Sequence, residues 1–138
     1  MVKNKLKRYL VDSSVIVALY YSDDNQHTKA IELIKKLIPE KSSFFVHPLV
    51  FVESLTVLKK VLNRQGLESV KNDLLNPIIF DVFPNKYDPR VNRETCDYFL
   101  QENKISFTDA ELLAVANNNL LTLLTFDKEL IRLYRNSQ

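Results

Sequence analysis

The spacing of apolar positions changes repeatedly along the chain, and each change predicts an element. Tyr9-Leu10-Val11 is a short apolar run of the buried-strand kind, and apolar residues resume from Val15 to Tyr21 as a helix, with Asp12-Ser13-Ser14 at the hand-over. Ser22-Asp23-Asp24-Asn25 interrupts with turn and capping residues. Ala30, Ile31, Leu33, Ile34, Leu37 and Ile38 then keep helical spacing up to Pro39. Ser42 to Val46 predicts a second strand. His47-Pro48 closes it, and Pro48 suits the first position of a helix running to about Arg64, with Gly66 as its C-terminal cap. A short helix over Leu67 to Leu75 precedes a third strand, Ile78 to Phe83, that Pro84 ends. Asp88-Pro89 opens a helix reaching about Asn103, with Val91, Cys96, Phe99 and Leu100 on its inner face. Thr108 caps a compact apolar helix, Ala110 to Ala116, which Asn117, Asn118 and Asn119 terminate. Leu120 to Phe126 is a fourth strand, and Asp127 leads into a final helix carrying Leu130, Ile131, Leu133 and Tyr134.

Helices between successive strands, with no hairpin turn signal, imply an α/β fold whose parallel sheet is covered on both faces. The carboxyl ends of parallel strands share one edge, and ligands of such sheets bind there. Asp12 and Asp127 emerge at that edge, Asp109 begins a helix, and Glu53 lies one to two turns into a helix that starts at a strand's end. Each acid also has a structural account. Asp12 or Ser13 would cap the first helix, and Asp109 is favoured by the dipole of its own. Glu53 has Leu49, Val50 and Val57 at helical-neighbour spacing, so it stands either on a face that should be buried or at that face's edge. His27 reads as a surface or capping residue. Glu111, two positions after Asp109, points to another side of its helix and serves the surface.

Composition narrows the function. The 138 residues, 46% of them hydrophobic, fit one domain spanning 1–138. A lone cysteine, Cys96, forms no internal disulfide and suits the reducing cytoplasm. The basic start is followed by too short an apolar run for a secretory signal, and no segment nears the roughly 20 apolar residues of a membrane span. A single glycine excludes glycine-rich phosphate loops, and with them the nucleotide-cofactor enzymes that use them. The net charge of +2 is unremarkable; its distribution is less so. Basic residues gather at Lys3, Lys5, Lys7 and Arg8, at Lys59, Lys60 and Arg64, and at Lys128, Arg132 and Arg135, each group also readable as a solvated face.

One crevice can receive Asp12, Glu53, Asp109 and Asp127. Four carboxylates without a counter-charge repel one another, and a divalent cation removes that penalty. Oxygen ligands without a histidine or cysteine cluster suit Mg²⁺ or Mn²⁺ better than zinc.

Together, Asp12-Ser13-Ser14 after a first strand, Glu53 in a proline-started helix, Thr108-Asp109-Ala110 opening an apolar helix and Thr125-Phe126-Asp127 after a late strand resemble the PIN domain, and at this size the VapC-type toxins. The resemblance spans Asp12 to about Leu130. It implies a three-layer α/β/α fold with a mostly parallel sheet of four or five strands, and a metal-dependent ribonuclease leaving 5′-phosphate and 3′-hydroxyl ends. It places Asp12, Glu53, Asp109 and Asp127 on the family's acidic positions, with Ser14 and Thr125 as supporting hydroxyls. RNA as substrate, a protein antitoxin and a homodimer follow from it as expectations, with the basic groups holding the RNA backbone. Glu129 and Leu130 depart from the pattern, standing where members often carry a further acid and an aromatic. By the same resemblance, the final edge strand common in the family is expected to be missing or very short. A non-catalytic PIN-like binding module and a housekeeping RNA-processing nuclease are the alternatives. A dehalogenase-type phosphatase would need an aspartate where Ser14 stands, and a receiver domain would need its accepting aspartate at a central strand's end, whereas Asp81 falls inside a strand.

Overall fold

The structure, a computed structural model, describes residues 6–82 and 88–138, Val82 by its backbone alone. Lys3 and Lys5 of the basic start, and Phe83 and Pro84 at the expected end of the third strand, lie outside the described residues. The elements run β1 (Lys7–Val11), α1 (Ser13–Tyr20), α2 (His27–Leu37), β2 (Ser42–Val46), α3 (Pro48–Lys59), α4 (Arg64–Leu74), β3 (Asp81–Val82), α5 (Pro89–Gln101), α6 (Phe107–Asn119), β4 (Thr122–Leu124) and α7 (Lys128–Asn136). The four strands form one parallel sheet in the order β3-β2-β1-β4. Tyr9 stands level with Phe44 on one side and Thr122 on the other, and Leu10 with Phe45 and Leu123.

This order fixes where a ligand can enter. The chain leaves β1 toward β2 and β3, then returns past both to lay β4 on β1's other side. Because parallel crossovers keep one hand, connections running in opposite directions put their helices on opposite faces. Accordingly α1 packs with α2 and α3, and α3 with α4, whereas α5 packs with α6, and α6 with α7 and β4. The reversal occurs at β1, so a crevice opens beyond its carboxyl end, the position of Asp12.

Successive residues of a strand face opposite ways, and Leu10 and Val11 are both fully buried, so helices cover β1 on both faces. α6 buries more residues than any other described helix: Ala110 and Leu112, Leu113, Ala114, Val115 and Ala116. Its three alanines let it lie close to its neighbours.

Several boundaries differ from the sequence expectation for local reasons. The helix expected to run to Arg64 ends at Lys59, and a new one begins at Arg64 because the Asn63 side chain accepts a hydrogen bond from the Gly66 N–H (2.7 Å). Gly66 therefore lies inside the first turn of α4 and is no C-terminal cap. Ile78 and Ile79 belong to a turn closed onto Asn76, so that among the described residues β3 consists of Asp81 and Val82. On α5 the buried positions are Val91 and Thr95, while Cys96, Phe99 and Leu100 face outward. The three asparagines do not stop α6. Asn118 and Asn119 donate to the carbonyls of Ala114 and Val115, extending the last turn, and Leu120 takes the left-handed conformation (φ 54°) instead.

A branched side chain in that conformation is strained by about 1–2 kcal/mol, and Leu120 is 89% exposed, so its packing returns little. Leu120→Gly is expected to stabilise the fold by about 0.5–1 kcal/mol despite the added freedom of its unfolded chain. A urea titration showing a lower midpoint would refute this.

Candidate active site

Asp12 stands at the junction of β1 and α1, and its backbone N–H donates to the Leu124 carbonyl of β4 (2.9 Å). Although it occupies the N-cap position, its side chain caps nothing. The Ser14 Oγ and Thr125 Oγ1 hydroxyls both donate to its Oδ2, each at 2.8 Å. Both hydroxyls are themselves held, Ser14 Oγ by the Phe126 N–H and Thr125 Oγ1 by the Asp127 N–H, each at 3.0 Å. The carboxylate is 3% exposed. With Oδ2 doubly engaged, Oδ1 has no hydrogen-bond partner among the described residues and borders a cleft of about 550 Å³.

Glu53, Asp109 and Asp127 line the same cleft. α3 buries Val50, Ser54 and Leu58 and exposes Leu49 and Val57, so Glu53 lies at the edge of the apolar stripe and not inside it. Asp109 enters from the first turn of α6, whose cap is Ser106 and not Thr108: the Ser106 Oγ accepts from the Asp109 N–H (3.1 Å). Asp127 caps α7, one oxygen accepting from the Leu130 N–H (3.0 Å). The four acids thus come from four elements and meet at the crevice dictated by strand order.

Their charges act on one another. Burial pushes the Asp109 carboxyl up to about 6, aided by the negative charge of Asp12 and, more weakly, of Asp127 and Glu53, with the Ser106 hydrogen bond opposing. Glu53 is raised as well, by burial first and then by Asp12, while a hydrogen bond with Ser13 opposes. None of the four acids forms an ion pair among the described residues. Four carboxylates without a counter-charge, two of them, Asp109 and Glu53, pushed toward protonation, are the oxygen-only donor set that a hard divalent cation relieves. No three His, Cys, Asp or Glu side chains among the described residues are drawn together closely enough to hold one ion between them. Ligation by one or two carboxylates, with water completing the shell, is the mode that Mg²⁺ favours. The oriented Asp12 and the neighbouring Asp109 suit it.

The cleft also contains residues that the sequence did not single out. Asp24 lines it with its Oδ1 accepting from the Gln26 N–H (2.8 Å); in the sequence it was one of several turn residues. Ser106 precedes the expected cap by two positions and gave no separate signal. His27 is half-buried, its Nδ1 lying 2.7 Å from the Ala18 carbonyl, so it ties α2 to α1. Glu111 does not serve the open surface: it is half-buried, with Oε1 3.6 Å from Nε2 of the buried His47. Glu129 points away from the cleft toward Arg132 (3.0 Å).

Comparison with known proteins agrees with this architecture. A family model described as the PIN domain matches residues 9–136. Among solved structures, VapC20 of Mycobacterium tuberculosis, a toxin that cleaves the sarcin-ricin loop, superposes with a TM-score of 0.72 at 19% identity, covering 90% of this chain and 93% of its own. FitAcB of Neisseria gonorrhoeae gives 0.67 at 18% identity over 92% and 93%. VapBC2 of Rickettsia felis, bound to a DNA fragment from its promoter, gives 0.64 at 13% identity over 91% and 92%. No curated protein matches the chain in sequence.

Asp109 generates a signed expectation. Its carboxyl pKa is raised from 3.8 to about 6, so between those values the folded state holds a proton that the unfolded state releases. Stability then falls as pH rises through that window. In metal-free protein at pH 7, Asp109→Asn should raise the melting temperature by a few °C, on the order expected for relieving one repulsive charge. Mn²⁺ should stabilise the native protein and leave the Asn variant nearly unmoved. Calorimetry with and without the ion reads both, and an Asn variant that melts lower without metal refutes the expectation.

Proposed function

The chain belongs to the PIN domain family, and from that premise we propose that it is a metal-dependent ribonuclease of the VapC toxin type, hydrolysing RNA phosphodiester bonds. The observation carrying this is the buried Asp12 carboxylate, oriented by Ser14 and Thr125 in a cleft shared with Glu53, Asp109 and Asp127. Asp12 and Asp109 would hold a Mg²⁺ or Mn²⁺ ion, Asp127 would complete the site or hold an ion-bound water with its oxygen not engaged in capping, and Glu53 would orient water or bind a second ion. When bound, the ion activates water and neutralises charge on the phosphate and leaving oxygen. The chain's own residues supply placement: two hydroxyls keep Asp12 from turning, and Ser106 positions the turn that carries Asp109.

The same reading includes a protein antitoxin that occludes the crevice, most economically with a basic side chain among the carboxylates. VapC20 being a toxin supports it. A homodimer is also included, for α3 exposes Val52, the turn after it Val61, and α5 Phe99 and Leu100, apolar surface that a second copy would cover. No helix among the described residues is long and apolar enough to cross a membrane. A cytoplasmic location belongs to the same proposal.

Purified protein is expected to cleave RNA with Mg²⁺ or Mn²⁺, to stop with EDTA and to lose activity in Asp12→Asn. Activity surviving both treatments would falsify the mechanism, and a protein that neither cleaves nor gains thermal stability with metal is a binding module. Thr125→Val, which removes one of the two donors to Asp12, should cost about 10–100-fold in metal affinity or activity, as loss of a ligand-orienting group generally does.

A further inference from the structure

A second depression, of about 800 Å³, runs between α2 and α7 and joins the acidic cleft: Gln26 and Phe126 line both. Its walls are two helix faces with the same spacing. Lys29, Glu32, Leu33 and Lys36 come from α2, and Lys128, Ile131, Arg132 and Arg135 from α7. Positions i, i+3, i+4 and i+7 share one side of a helix, so each wall presents basic heads at both ends of a stretch about 10 Å long, with an aliphatic residue between. Five cations face one acid. Lys29, Lys36, Lys128 and Arg135 form no ion pair among the described residues, and only Arg132 is engaged, by Glu129 and Glu102. At the junction with the cleft, the Lys29 ammonium lies 5.3 Å from the centroid of the Phe126 ring.

Resting on the ribonuclease reading, we propose that the groove between α2 and α7 is the track along which single-stranded RNA reaches the acidic cleft, with Lys29, Lys36, Lys128 and Arg135 holding its phosphates and Lys29 positioning the phosphate nearest the carboxylates. An anionic strand approaching four carboxylates is repelled unless cations line its approach, and these stand at the mouth of the cleft. Apolar surface between basic rows gives unpaired bases somewhere to lie, the combination by which single strands are held with little sequence preference. The basic group at Lys59, Lys60 and Arg64 lines neither cavity.

The test is fluorescence anisotropy of a labelled 12-nucleotide single-stranded RNA, in EDTA and over a range of KCl concentrations. Lys29→Gln/Lys128→Gln/Arg135→Gln is compared with an equal charge change outside the groove, Arg90→Gln/Arg93→Gln/Lys104→Gln. All six side chains are exposed, and circular dichroism verifies that both variants fold. The groove variant should bind at least tenfold more weakly at moderate salt and lose about 2 units of the slope of log K against log salt, near 0.7 per phosphate contact on a single strand. The other variant should keep the slope. Equal losses in the two variants overturn the track, as does groove-dependent binding of a polyglutamate peptide with RNA binding unchanged, which would make the occupant an acidic protein segment. Since no divalent ion is present, the track and the hydrolysis reading fail separately: a slope loss confined to the groove variant upholds the track even if cleavage is never seen.

Discussion

The cost of keeping a carboxylate out of water governs this structure. Asp12 is nearly inaccessible, and an isolated buried charge costs several kcal/mol, comparable to the stability of a whole domain. The chain answers with two hydroxyls on one oxygen, that of Ser14 held by the Phe126 N–H and that of Thr125 by the Asp127 N–H. Thr125 can reach Asp12, and Phe126 can reach Ser14, only because β4 lies beside β1 and the Asp12 amide is bonded to Leu124. The sheet order, the return of the chain from β3 and the burial of α6 all serve that adjacency.

From the same constraint follows the electrostatic character of the cleft. A fixed negative charge raises the proton affinity of its neighbours, and Asp109 and Glu53 are both displaced in that direction. Asp109 and Glu53 thus both feel Asp12, and a cation bound among them would relieve both. The basic walls of α2 and α7 lie next to it and separate from it, so positive and negative regions adjoin without neutralising each other.

The parts of this arrangement that were legible in the sequence depend on local pattern. Tyr9-Leu10-Val11 and Ser42 to Val46 are strands because their apolar runs are short and bounded, and Pro48 starts α3 because its missing N–H costs nothing there. Helix alternation gave the parallel sheet, and with it the shared edge of Asp12 and Asp127. What stayed hidden depends on partners distant in sequence. Nothing near Asp12 says that its side chain abandons the cap for a threonine 113 positions away; Thr125 came forward as a supporting hydroxyl through the family resemblance alone. Competing local hydrogen bonds misled at Gly66, Ser106 and the Asn117–119 run, where side chains three or four residues off settle the helix ends. Cys96, Phe99 and Leu100 looked like core because apolar character alone does not tell which side of α5 meets α6.

His47 joins two helices that sequence places far apart. Its Nδ1 accepts from the Leu49 N–H at the start of α3, so the ring proton sits on Nε2, which faces Glu111 of α6. Burial lowers its pKa, with Glu111 opposing. Glu53 lies six residues beyond His47 on α3, and Asp109 lies two before Glu111 on α6. The pair behaves as a spacer set behind the cleft wall. Neither residue lines the cleft, so the contact links the two acid-bearing helices from behind its wall, out of reach of whatever the acids face.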